Sequence, residues 1–418
     1  MNSNSFGVRT CVLADGQRIP LLVDHRTALP VEATTRFTLV KRWQVGSSSG
    51  TAANELRSVA LLMSWAQRLG IDVEARIESG ACFSSAELEA LVDALRERQR
   101  EQNGARKNVA FVGLDREARK IARAELRCPV VGNEAWYQRI KYVQGDLRWR
   151  MDDAISRVAT EDDRFFRIRQ RLDEVDRKLE SLLPSTVERH REGLGPELRN
   201  HFLQIIDPAN PENPFQKPNR FRNYVLLRLI FETGCRLSEA LVLYTTDYHP
   251  DARRPTLVIR RRPHNPLDPR VDLPLVKTRP RALPLATNLA ELLETLITGD
   301  RKSVLGAKKS PFVFLARDGT PLARRSVEDL PKMIRRAFPE FERLTIHVLR
   351  HDWNDRFSDL AREKGWSEEK ETQHRNYLQG WSKTSKQGLN YTRRSTREEA
   401  MNAAFELQQR DWNSANHG

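Results

Sequence analysis

A mainly α-helical protein with small β elements is what this sequence predicts, divided into two domains with short appendages. Three observations carry the prediction. At 418 residues the chain exceeds the size at which a single hydrophobic core keeps growing, so it should split into domains. Apolar residues recur three and four apart through much of the N-terminal half, the period of a helix with one buried face. Strand-like runs are few, short and bounded by turn residues or proline.

The first element is a hairpin, because Thr10 to Asp24 reads as two apolar runs around the turn dipeptide Asp15-Gly16. Gly46-Ser47-Ser48-Ser49-Gly50 reads as a loop. After it Leu56, Val59, Met63 and Ala66 keep helical spacing up to Gly70, a natural C-cap. Another helix opens at Ser84, where Ser84-Ser85-Ala86-Glu87 matches a capping box and Leu88, Leu91, Val92 and Leu95 make one apolar face. The pattern stays helical and arginine-rich to about Ser156. Phe165, Ile168, Leu172, Val175, Leu179 and Leu182 then alternate three and four apart, as in the seam of a coiled coil. The run falls short of the roughly three to four heptads a coiled coil needs, so we take it as a helix packed on its own domain, with a partner-binding coil as the alternative.

Pro184 ends that helix, and the domain boundary is expected near Leu183 to Leu194. Asp207 to Pro218 is a loop rich in proline and asparagine. Val225, Leu226, Leu229 and Ile230 form a buried helix face that stops at Thr233-Gly234, and a new helix is expected around Ser238. Thr256 to Arg262 reads as a strand and Val271 to Leu285 carries a second, with the proline-rich stretch Pro263 to Arg270 between them. Leu349, Trp353, Phe357 and Leu360 step along one buried helix face. His347, Arg350 and Asn354 follow a stripe about 100° away that should border a cleft.

Lys plus Arg number 70 against 56 Asp plus Glu, a net charge of +14, which favours a polyanionic partner such as double-stranded DNA. No apolar run reaches the roughly 20 residues of a spanning helix and no signal-peptide core opens the chain, so a cytoplasmic, DNA-associated protein without membrane partners is expected. Cys11, Cys82, Cys128 and Cys235 lie scattered, with no C-x-x-C pair and no histidine at ligand spacing. Reduced thiols, no metal site and no cofactor are expected.

Six residues carry the chemistry when read in order: Arg236, Lys277, His347, Arg350, Trp381 and Tyr391. Their strings are Thr233-Gly234-Cys235-Arg236-Leu237-Ser238-Glu239, the basic stretch ahead of Arg281-Ala282-Leu283-Pro284-Leu285, His347-Val348-Leu349-Arg350-His351, Gly380-Trp381 and Tyr391-Thr392-Arg393. Together and in this order they resemble the tyrosine recombinase (phage integrase) family over roughly the C-terminal half. The resemblance implies a helical core DNA-binding domain followed by an α+β catalytic domain. We divide the chain accordingly: 1–45 an N-terminal hairpin arm, 46–186 the helical domain with a linker helix, 187–394 the catalytic domain, and 395–418 a C-terminal tail helix.

By the same resemblance the chain would be a site-specific recombinase that cleaves and rejoins DNA through a 3′-phosphotyrosyl link on Tyr391, as a tetramer on DNA, with the need for companion recombinases left open. Arg236 and Arg350 would clamp the nonbridging phosphate oxygens, and Lys277 would protonate the leaving hydroxyl. His347 would assist proton transfer at Tyr391. Trp381 stands where most relatives carry histidine. Its indole N–H can donate to phosphate, and a structural tryptophan is the other reading. Arg279 and Arg281 are available to touch the DNA backbone. The rival functions are a type IB topoisomerase-like enzyme and a catalytically silent architectural or regulatory DNA-binding protein. In the tail, Thr396-Arg397-Glu398-Glu399 opens a helix with Ala400, Met401, Ala404, Phe405 and Leu407 on one side. It would dock on its own domain or on a neighbouring protomer.

Overall fold

A computed structural model describes residues 5–45, 48–97, 130–186, 193–250, 254–382 and 385. The chain divides into two compact units, Met1–Glu188 and Arg189–Gly418.

The first unit opens with strands β1 (Phe6–Val12) and β2 (Arg18–Asp24), antiparallel, with Phe6 opposite Asp24 and Val12 opposite Arg18. The hairpin therefore begins earlier than Thr10. Helix α1 (Glu32–Val45) follows. Periodicity does not predict it, because Thr34 and Thr38 stand on its buried side, each fully or nearly fully enclosed. The Thr38 hydroxyl is satisfied by the Thr34 carbonyl at 2.9 Å.

Helix α2 (Ser49–Arg68) starts inside the expected glycine-serine loop: Ser48 is its N-cap and accepts from Thr51 N–H at 3.2 Å. Gly70, at φ +66, follows its end, as expected. The hairpin packs on α2 through Phe6, Leu22, Leu56, Val59 and Ala60. Helices α3 (Val73–Glu78) and α4 (Ser85–Arg96) come next, and the Ser84–Glu87 capping box forms in both directions.

Helices α5 (Asn133–Ser156) and α6 (Asp163–Ser181) complete this unit. On α6, Ile168, Leu172, Val175 and Leu179 are buried against Leu88, Leu91, Ile140 and Leu147. The expected seam is thus an ordinary core face within its own unit, while Phe166 stays 63% exposed. The unit also holds a buried polar network. Arg150 of α5 donates to Asp146 at 2.7 Å, to Thr34 at 2.5 Å and to Glu74.

The second unit contains α7 (Pro196–Ile205), α8 (Arg220–Thr233), α9 (Leu237–Leu241), β3 (Tyr248–His249), β4 (Thr256–Ile259), β5 (Arg281–Pro284), α10 (Thr287–Thr298), α11 (Arg324–Glu328), α12 (Leu330–Ala337), α13 (Ile346–Glu363) and α14 (Glu368–Gln379). Its core gathers Leu226, Leu229 and Ile230 of α8, Leu257 of β4, Leu289 and Leu293 of α10, Ile334 of α12 and Leu349 of α13. The three strands form one antiparallel sheet in the order β3-β4-β5, with Ile259 opposite Arg281.

β4 is shorter than the sequence suggests, stopping at Ile259 rather than Arg262, while β5 lies within the stretch Val271 to Leu285 expected to carry it. Pro263, Pro266, Pro269, Pro274 and Pro280 lack the N–H a ladder needs, which keeps the stretch between the two strands out of the sheet. The stretch between is nonetheless anchored. Asn265 donates to the Tyr244 hydroxyl at 2.7 Å, and Arg270 donates to Leu322 and Leu241 carbonyls at 2.8 and 3.1 Å.

On α13, Leu349 and Phe357 are buried as expected and Trp353 stacks on Phe357 at 5.1 Å, but Leu360 is 42% exposed. Polar side chains are enclosed with them on two sides of the helix: Arg350 and Asn354 lie one turn apart, Asp352 lies about 200° from Arg350, and all three are almost wholly buried. Asp352 accepts from Arg199 (3.1 Å), Arg356 (2.9 Å) and the Leu194 N–H (3.1 Å), tying the start of this unit to α13. Among the described residues no helix is long and apolar enough to cross a membrane.

Candidate active site

The site begins where α8 ends. Thr233 closes the helix, and Gly234 takes a left-handed conformation (φ +63) with its N–H bonded to Ile230 O at 3.0 Å. Glycine is required twice over, since a Cβ there would lie 2.6 Å from Trp353 Cδ2 and 2.8 Å from Gln379 Nε2. The chain reverses into α9, one residue earlier than the expected Ser238, and Arg236 becomes its N-cap. The Glu239 carboxylate accepts the Arg236 backbone N–H at 2.9 Å and lies 3.7 Å from its guanidinium. Arg236 also donates to Gln379 O at 3.3 Å, and its side chain remains 29% exposed.

Arg350 reaches the same place from α13. It is 2% exposed and donates to the carbonyl of Gly234. Its own carbonyl accepts from Asn354 Nδ2 at 2.8 Å. His347, one turn earlier on α13, is exposed, and its ring meets that of His351 edge-on at 4.4 Å.

Trp381 follows the end of α14. Gly380 turns the chain at φ +66, and Trp381 N–H bonds back to Asn376 O at 2.8 Å. The guanidinium carbons of Arg350 and Arg236 lie 5.5 and 6.0 Å from the Trp381 ring centroid. One indole is thus shared by both arginines at the outer reach of a cation–π contact.

Lys277 is exposed and stands outside the sheet, in the irregular stretch before β5. Its neighbours hold it on either side: Val276 and Thr278 are buried, and Arg279 N–H bonds to Gly380 O at 2.9 Å. Tyr391 and the tail 395–418 lie outside the described residues.

Two residues were missed or misread in the sequence. Arg281, offered there as a phosphate contact, is 6% exposed and pairs with Glu239 at 2.8 Å. Thr278, assigned no role, donates its hydroxyl to the same carboxylate. Burial alone would push the Glu239 carboxyl up, but Arg281, Thr278 and the Arg236 N–H together hold it below its ordinary range. Cys235, fully buried next to Arg236, has its thiol pushed up to about 11 by burial and then by Glu239. The signal for Arg281 was present as alternation, because a residue facing inward on a short strand takes the opposite side from Ala282.

The electrostatic arrangement is two guanidinium forks beside one indole, with an ammonium-bearing segment strapped to the same glycine turn. Such forks match two nonbridging oxygens of one phosphodiester. Residues 199–367 match the family model described as Phage integrase family, a span that takes in Arg236, Lys277, His347 and Arg350 but stops before Trp381 and Tyr391. No curated protein matches the chain. Among solved structures, the chain is similar to XerH site-specific recombinase bound to a palindromic difH substrate in a post-cleavage complex, at 16% identity over 80% of this chain and 97% of that one, with a TM-score of 0.42. A lambda integrase (75–356) dimer bound to a COC′ core site gives 13% identity over 86% and 94%, with a TM-score of 0.44. The Tn1549 transposon integrase in complex with transposon right end DNA gives 18% over 72% and 96%, with a TM-score of 0.39.

Proposed function

We propose, from the match of residues 199–367 to the phage integrase family model and the order of the site residues, that the chain is a site-specific DNA recombinase with Tyr391 as its nucleophile. The Tyr391 oxygen attacks the phosphorus of one strand and the bond to the bridging 5′ oxygen breaks, leaving the enzyme joined to the 3′ phosphate. His347 takes the tyrosine proton, and Lys277 supplies the proton that turns the departing oxygen into a 5′ hydroxyl. Arg236 and Arg350 hold the two nonbridging oxygens on which charge grows. The phosphotyrosyl bond keeps the energy of the original linkage, so a hydroxyl from another strand reverses the step and joins new ends without ATP.

The observation that supports this reading best is the meeting of Arg236 and Arg350 beside Trp381, although the two arginines lie on separate helical segments. A solvated arginine needs no such partner, whereas a phosphate clamp needs two forks at one point. The net charge of +14 suits double-stranded DNA as substrate. We further infer a homotetramer on paired target sites, in the cytoplasm, with the tail after Tyr391 as the element that links protomers.

The test is a nicked suicide substrate built from DNA flanking the gene. A protein–DNA species that survives denaturation and blocks the 3′ end is expected. Free 3′ ends with no retained protein would overturn the proposal.

A further inference from the structure

Glu239 is fully buried, and its carboxylate is reached from three chain segments. Arg236 N–H comes from the α8–α9 junction at 2.9 Å. Arg281 donates at 3.1 and 2.8 Å from β5, and the Thr278 hydroxyl joins them from the stretch before it. Arg281 then uses its Nε on Leu378 O at 2.5 Å, in the last turn of α14. The segments carrying Arg236, Lys277 and Trp381 therefore meet at one enclosed ion pair. They also touch closely: a Cβ on Gly380 would lie 2.7 Å from the Arg281 guanidinium and 2.9 Å from Thr278 Cβ.

We propose that the Arg281–Glu239 pair, tied to Thr278, is a positioning device that sets the Lys277 ammonium against Arg236 and Trp381. This inference rests on the function proposed above. A role in stability alone does not require such an arrangement, because apolar residues of similar volume commonly replace a buried ion pair without loss. Orientation does require it. Lys277 is exposed on a flexible stem, so its reach is limited chiefly by where its backbone is pinned, and the pin is the next residue, Thr278. Arg281 and Thr278 touch no substrate in this scheme; they act through their neighbours.

The experiment uses the full chain with Thr278→Val, Arg281→Met and Arg281→Lys. Each is given two suicide substrates, one an ordinary phosphodiester and one with sulfur at the bridging 5′ position, whose thiolate leaves without a proton donor. Thr278→Val should slow single-turnover cleavage of the ordinary substrate by about 10- to 100-fold, keep target binding within about twofold, and cleave the sulfur substrate within about threefold of wild type. Arg281→Lys should recover part of what Arg281→Met loses. Wild-type cleavage of the ordinary substrate by Thr278→Val, which keeps the ion pair and its fold, overturns the inference. So does an equal loss on both substrates, since the effect would then bypass Lys277. If wild type cleaves neither substrate, the proposed function itself falls, and this inference with it.

Discussion

Arg350 donates from its guanidinium to the carbonyl oxygen of Gly234, so the arginine of α13 fixes the backbone just before the arginine that caps α9. The two arginines of the proposed clamp are therefore not independent side chains. Its geometry depends on a turn that only glycine can make, because Gly234 sits at φ +63 with Trp353 and Gln379 closing in.

Gly234→Ala should lower stability by about 1–3 kcal/mol through backbone strain and the added Cβ, and should depress cleavage in the surviving folded protein. Urea unfolding and single-turnover cleavage measure the two effects. Unchanged values in both would remove Gly234 from the account.

Arg236→Ala and Arg350→Ala should each reduce cleavage by at least about 100-fold, the loss typical of one oxyanion donor. They should differ in stability. Arg236 keeps 29% of its side chain exposed, so its truncation should cost less stability than that of the enclosed Arg350. Arg350 is 2% exposed and bonded to the backbone, so its loss should cost stability as well. Equal stability losses would contradict the burial difference.

The Glu239 carboxyl is held below its ordinary value of 4.5 in the folded chain. A lowered folded value means that the group stabilises the protein above 4.5, and that this stability is lost as pH falls through the lowered value. Wild type should therefore exceed Glu239→Gln in stability by a constant margin above 4.5 and by a shrinking one below it. Denaturant titrations across that range decide the matter, and a margin that stays level into strong acid would count against the assignment.

In the first unit, Arg150 and Asp146 form a wholly enclosed pair at 2.7 Å. Arg150→Met would leave Asp146 in the core without its cation, at a cost of about 3–5 kcal/mol. Pairing it with Asp146→Leu should restore much of that loss. Burial, and then Glu55, push the Asp146 carboxyl well up, so a single substitution as mild as the double one would show that Asp146 is carried protonated and that no charge pair is lost.

Much of this was legible in the sequence, for reasons that differ by element. The capping box at Ser84 and the apolar face of α6 are local patterns, and local patterns survive folding. The two arginines stood in boxes whose order resembles the tyrosine recombinase family, and it was that resemblance that implied their convergence. The proline-rich loop and the stretch carrying β5 were legible, and only the end of β4 was set too late, at Arg262 rather than Ile259. The helix α1 was missed because threonines line its inner face. Leu360 was read as core and Asp352 was given no role, yet the structure exposes the first and buries the second. What decides Asp352 is Arg199 and Arg356, and a partner as distant as Arg199 leaves no trace in local periodicity. For Arg281 the strand alternation marked an inward position, but nothing near it in sequence announces its partner Glu239.

The most direct test of the account is to identify the residue that carries DNA after cleavage. Wild-type protein trapped on a suicide substrate should yield, after nuclease and protease digestion, one peptide bearing a nucleotide on Tyr391. Tyr391→Phe should form no covalent adduct while binding the target about as tightly as wild type, because only the attacking oxygen is gone. An adduct that persists in Tyr391→Phe, or a nucleotide found on any other residue, would contradict it.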